Sequence, residues 1–120
     1  MKKKVIVLIV ILLLCAALLV WCLWANTALT TTVIDVQAGE GLPAEFEGFR
    51  IAHISDLHNA VFGDGNEKLL TLLREAEPDI IAVTGDLIDS RHTDVDAAVA
   101  FIASAAEIAP VYYVTGNHEA

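Results

Sequence analysis

Three short polar clusters carry the residues that could do chemistry. The first is Asp56 and His58, two residues apart, directly after the apolar run Ile51–Ile54. A carboxylate and an imidazole at the mouth of a strand can be aimed at one point, an arrangement that suits a divalent transition metal. The second is Gly85-Asp86-Leu87-Ile88-Asp89, and the third is Gly116-Asn117-His118-Glu119. Taken singly, each has an ordinary explanation. Asp56 can cap a turn, His58 can be a solvated loop histidine, Asp86 after a glycine can form an Asx turn, and Asn117 can be a turn residue. The spacing favours ligation. Asp86 follows Asp56 by 30 residues and Asn117 follows Asp86 by 31, each interval one strand–helix–strand step.

The elements between the clusters account for that spacing. Ile51–Ile54, Asp79–Thr84 and Val111–Val114 are near-continuous apolar runs, the pattern of strands covered on both faces. Leu69, Leu70, Leu72, Leu73 and Ala76 form a helical stripe, with Asn66 as its expected N-cap and Pro78 as its stop. Val95, Ala98, Val99, Ile102, Ala103 and Ala106 form a second stripe, with Thr93 and Asp96 resembling a capping box. Strand, helix, strand, helix, strand implies an α/β fold with a parallel sheet. Each polar cluster starts at the C-terminal end of a strand, where such sheets place their ligand crevice. Asp56, His58, Asp86 and Asn117 then surround one small volume. Their oxygen and nitrogen donors suit Mn, Fe or Zn rather than Ca. Asp86, on the middle cluster, is placed to bridge two ions, and two ions about 3.5–4 Å apart clamp a phosphoryl group and activate a bridging hydroxide. His118 is placed either to donate a proton to the leaving oxygen or to stabilise its charge, with Glu119 orienting it. Asp89 is expected beside the ligands rather than among them. His53 reads as a packed residue of the first strand or one that supports the ligands, and His92 as solvated.

Asp56-x-His58, Gly85-Asp86-x-x-Asp89 and Gly116-Asn117-His118-Glu119 resemble the first three signatures of the calcineurin-like metallophosphoesterases, and the N-terminal apolar helix before them resembles the membrane-anchored branch. The resemblance covers about residues 50–119. It implies a four-layer α/β sandwich and metal-dependent hydrolysis of a phosphodiester or phosphomonoester at a centre of two divalent ions. Asp56 and His58 would hold the first ion, Asp86 would bridge, Asn117 would hold the second, and His118 would be the catalytic imidazole. Relatives that act on phosphoester small molecules or lipid-linked substrates set the expected substrate class. The family's later Gly-His and Gly-His-x-His motifs have no counterpart after His118. The sequence therefore reads as the N-terminal part of such a domain, expected by itself to bind metal weakly and to be nearly inactive. The alternative is a truncated, catalytically inactive, membrane-anchored relative that serves as a binding module.

The first quarter of the chain is a different material. Val5 to Trp24 is 20 residues without a charge, long enough as a helix to span roughly 30 Å of bilayer core. Lys2, Lys3 and Lys4 precede it, and no basic residue follows until Arg50, so the positive-inside rule puts the N-terminus in the cytoplasm and the remainder outside. The run is longer than a signal-peptide core, which favours an uncleaved anchor. The expected organisation is a cytoplasmic tip and anchor over residues 1–25, a juxtamembrane segment and loop over 26–48, with an edge strand at Thr31–Val36, and a truncated catalytic domain over 49–120. Cys15 and Cys22 both lie within the apolar run, so no disulfide framework or cysteine zinc site is expected. All 16 acidic residues lie beyond the anchor against four basic ones, a net charge of −12 that repels nucleic acid and anionic membrane surfaces. A polyanionic substrate then needs local positive charge, which bound metal ions supply.

Overall fold

Ile81 and Val83 carry the sheet, both with no exposed surface. The computed structural model describes residues 2–37 and 41–120. These residues divide into two units, the first ending at Thr32 and the second beginning at Val33.

The first unit is helix α1, Lys2–Thr27. Its described side chains from Lys2 to Asn26 are all exposed, and its apolar residues circle the whole axis rather than forming a stripe. A helix apolar all round has no face to turn to water. At 26 residues it is about 39 Å long, enough to cross a bilayer.

The second unit contains strand β1 (Ile51–Ile54), helix α2 (Glu67–Ala76), strand β2 (Ile80–Thr84), helix α3 (Val95–Ala106) and strand β3 (Val111–Val114). The sheet is parallel in the order β1-β2-β3, with Ile51 opposite Ile80 and Ile81 opposite Val111. Alternation along the strands separates two faces. Ile81 and Val83, with Ala52, Ile54 and Val111 partly buried, pack against Leu70 and Leu73 of α2 and Phe101 and Ala105 of α3. Ile51, Tyr112 and Val114 lie on the other face and are exposed. The α/β architecture and parallel sheet are those expected of the opening part of a metallophosphoesterase-type domain.

Local expectations fail at four places. Thr31–Val36 forms no strand, and its Val33, Ile34 and Val36 are 78–82% exposed with no strand to pair with among the described residues. The adjoining loop, Gln37–Gly48, is described only in part. Residues 38–40 lie outside the described residues, and Ala44–Phe46 forms a single 3₁₀ turn. Asn66 sits at the N-cap of α2 in a left-handed conformation and makes no side-chain cap. It is buried, and its Oδ1 accepts the Phe62 backbone N–H at 2.8 Å, fastening the preceding loop instead. The cap of α3 is Asp94, whose Oδ1 accepts from the Ala97 N–H at 2.9 Å, while Thr93 donates to the Asp89 carbonyl at 3.1 Å. The buried face of α3 is centred on Phe101 and Ala105, leaving Val95 and Val99 exposed. A helix of sequence VDAAVAFIASAA has too little polarity to fix its own rotation, so packing of the one large ring decides it.

Phe101 is 2% exposed and Tyr112 is 63% exposed, which yields a paired test. Phe101→Ala should cost about 3–5 kcal/mol of unfolding free energy in a urea titration followed by circular dichroism, through lost burial and the cavity left behind. Tyr112→Ala on the open face should cost under about 1 kcal/mol.

Candidate metal centre

Asp86 anchors the site. It follows the buried pair Val83 and Gly85 and precedes buried Leu87. Gly85 has φ +93°, and a Cβ there would come within 2.6 Å of the Gly116 backbone. A Cβ on Gly116 would in turn collide with the Asp86 carboxylate. Two glycines therefore let the β2 and β3 loops pass at backbone contact, and that approach brings the second and third clusters together.

The first cluster is drawn in by hydrogen bonds that continue past the strands. The N–H groups of Asp56, His58 and Asn59 donate to the carbonyls of Gly85, Asp86 and Leu87 at 3.2, 2.9 and 3.0 Å. Asp56, His58, Asn59 and Asp86 all adopt positive φ, between 46° and 57°. Such backbone costs energy for residues with a Cβ and persists where surrounding bonds enforce it.

One ligand atom each from His58, Asp86 and His118 lies within 4.8 Å of the others. The two imidazoles meet edge to face, centroids 4.6 Å apart. His58 Nε2 is 3.8 Å from Asp56 Oδ1, and His58 Nδ1 is buried without a hydrogen-bond partner among the described residues. Ser55 Oγ donates to Asp56 Oδ2. Asp86 Oδ1 accepts the His118 backbone N–H at 2.9 Å. Asn117 is exposed on the β3 loop, and its side chain makes no hydrogen bond among the described residues. Imidazole and carboxylate donors at this separation, with one ring nitrogen buried and unspent, fit a divalent transition metal.

Asp89 turns aside. Its Oδ1 accepts the Arg91 N–H at 2.7 Å, and that bond is the main cause holding its carboxyl below the ordinary range. His53, expected to be packed, is instead exposed on the open face, its Nε2 2.6 Å from Thr84 Oγ1.

Glu119 is the most connected carboxylate. Its oxygens accept the N–H groups of Asp86 (2.9 Å), Leu87 (2.5 Å), Ile88 (3.2 Å) and Gly116 (2.7 Å). Burial acts to raise its pKa, but these four donors together outweigh it and bring the value down to about 2. Burial, then the nearby Glu119 charge, pushes the Tyr113 hydroxyl up. Asn59 and Ser90, which contact the loops carrying the site, escaped the sequence reading. Their partners lie 28 to 35 residues away in the chain, and no periodicity marks them.

The sign of the Glu119 shift yields a prediction. Its folded pKa is depressed, so its contribution to stability is complete above the ordinary glutamate value of 4.5 and disappears as pH falls through about 2. In the presence of chelator, the urea midpoint should drop across that window, and Glu119→Gln should flatten the drop while lowering the midpoint at neutral pH.

Comparison with known proteins identifies a family. The family model for calcineurin-like phosphoesterase matches residues 49–120. A "transmembrane protein with metallophosphoesterase domain" of Danio rerio is 29% identical over 97 residues, covering 78% of this chain and 22% of that protein. Its namesake in Bos taurus is 31% identical over 94 residues, covering 77% and 20%. The "uncharacterized metallophosphoesterase YkoQ" of Bacillus subtilis is 33% identical over 89 residues, covering 72% and 32%. The chain spans between 20% and 32% of the length of these relatives. No solved structure matches. The three clusters, the parallel sheet that aligns them and the family match over 49–120 agree: the chain belongs to the calcineurin-like phosphoesterase family.

Proposed function

We propose that this chain is the membrane-tethered, metal-binding part of a hydrolase that cleaves a phosphodiester or phosphomonoester. The observation that carries the reading is the convergence of His58, Asp86 and His118 at the C-terminal edge of the parallel sheet. Asp56 and His58 would hold one divalent ion, Asn117 would hold a second, and Asp86 would serve both. Mn, Fe or Zn suits these donors. Bound ions would neutralise the phosphoryl oxygens and lower the pKa of a water.

The chain's own residues do the rest. Asp86 is held from both sides of the sequence by buried neighbours, so its carboxylate is fixed before any ligand arrives. His118 faces the same volume and stabilises charge that builds on the departing oxygen. Glu119 fastens the backbone of the loops that carry both. A phosphoester small molecule or a lipid-linked substrate fits the reading. The acidic surface leaves the cations as the local attraction for such a group. Helix α1 is read as the tether, with Lys2 to Lys4 in the cytoplasm and residues 33–120 outside.

Two experiments test this. In the protein expressed from its complete natural reading frame, hydrolysis of bis(p-nitrophenyl) phosphate should vanish with chelator and return with Mn or Zn. His118→Gln should lower kcat about 10²–10³-fold with little change in KM, and Asp86→Ala should abolish metal uptake as well as turnover. Turnover indifferent to metal would reject the reading. For topology, a cysteine placed at residue 35 should react with an impermeant maleimide on intact cells, and one placed at residue 3 should not.

A further inference from the structure

Asn59 has no part in the chemistry above, yet its side chain is wholly committed to one loop. Its Oδ1 accepts the backbone N–H groups of Asp89 at 2.8 Å and Asp94 at 3.3 Å, and its Nδ2 donates to the Asp94 carbonyl at 2.8 Å. The 89–94 loop is closed internally as well, by Thr93 Oγ1 on the Asp89 carbonyl and the Arg91 N–H on the Asp89 carboxylate. Beyond it, Asp94 caps α3. One amide thus grips both ends of the loop, and the body of α3 anchors the far end.

The residue after the gripped Asp89 is Ser90, whose backbone N–H donates to His118 Nδ1 at 3.2 Å. A ring nitrogen that accepts a hydrogen bond carries a lone pair, so the proton of this imidazole resides on Nε2. A histidine that binds a metal through Nε2 keeps its proton on Nδ1 and passes it to an acceptor. Here Nδ1 meets a donor. His58 differs, because no donor or acceptor among the described residues occupies its buried Nδ1.

We infer that Asn59 is a positioning residue: through the 89–94 loop and the Ser90 N–H it holds His118 as the Nε2–H tautomer, so that His118 offers a hydrogen bond to a substrate oxygen rather than a lone pair to a metal. The catalytic consequence rests on the phosphoesterase reading. The tautomer and its dependence on Asn59 do not.

The test needs neither metal nor turnover. The full chain, labelled with ¹⁵N-histidine and held in detergent micelles with chelator, is examined by long-range ¹H–¹⁵N correlation, with His118→Gln assigning the ring. Wild type should show a bare Nδ1 and a protonated Nε2 at His118, with the Ser90 amide protected from exchange. Asn59→Ala should move the Nδ1 signal toward that of Nε2 as the two tautomers average. It should also cut Ser90 protection about five- to tenfold, the loss expected for one ordinary hydrogen bond. Asn59→Asp keeps an accepting oxygen for the Asp89 and Asp94 N–H groups but loses the donor to the Asp94 carbonyl, so it should lose less protection than Asn59→Ala without matching wild type. Ser90→Pro removes the donor N–H and should shift His118 with Asn59 still in place, whereas Ser90→Ala, which keeps that N–H, should leave it as in wild type. A protonated Nδ1 in wild type, or a His118 spectrum unmoved by Ser90→Pro, would overturn the inference even if Asn59→Ala fails to fold. A protein that shows this pattern and hydrolyses no phosphoester would refute the functional reading and leave the role of Asn59 standing.

Discussion

The site depends on one carboxylate that touches backbone. The β2 loop turns sharply after Thr84, and its N–H groups at Asp86, Leu87 and Ile88 leave the sheet ladder without strand partners. Left unpaired in a half-buried turn, each would cost free energy comparable to a lost hydrogen bond. Glu119 collects all three and adds Gly116 from its own loop. The result cross-links the second and third clusters through charge-assisted bonds, which are stronger than neutral ones. The contact between Gly85 and Gly116 makes the cross-link possible, since any side chain at either position would push the loops apart.

Electrostatics follow from that choice. Asp56, Asp86, Asp89 and Glu119 bring four carboxylates to one sheet edge in a strongly acidic chain. Two of them are neutralised locally by backbone donors, Glu119 by four N–H groups and Asp89 by that of Arg91. Asp56 and Asp86 are less provided for, with a single hydrogen bond each to their carboxylates among the described residues. The uncompensated negative potential therefore lies beside His58 and His118, where a divalent cation would be the largest local charge.

The sequence made the strands and the clusters legible for the same reason. A buried parallel strand is a short apolar run, and the polar residue that follows it is at the sheet edge by topology alone. Asp56, Asp86 and Asn117 could thus be placed from spacing. What escaped was decided by tertiary packing. The rotation of α3 was hidden because apolar residues surround its axis, and Phe101 was not singled out. Asn66 and Thr93 look like caps from their neighbours, but each side chain serves a loop. Thr31–Val36 has strand chemistry and no pairing partner among the described residues, and propensity without a neighbour makes no ladder. Asn59 was invisible because its partners lie 30 and 35 residues away.

The covered face of the sheet explains why Asp86 is the fixed point of the site. Val83 and Leu87 bracket it and are both buried against the layer built by α2 and α3. On the open face Ile51, Tyr112 and Val114 are exposed, and the His53 ring is taken up by Thr84. Packing beneath β2 therefore sets the position of the Asp86 carboxylate, and the loop hydrogen bonds then set His58 and His118 relative to it. Asp56 and Asn117 are exposed on their loops. A divalent ion held here would lie against the Asp86 carboxylate and His58, whose places the fold sets. Asp56 and Asn117 would complete its donors, so the conformational cost of binding would fall on the residues with the least packing to lose.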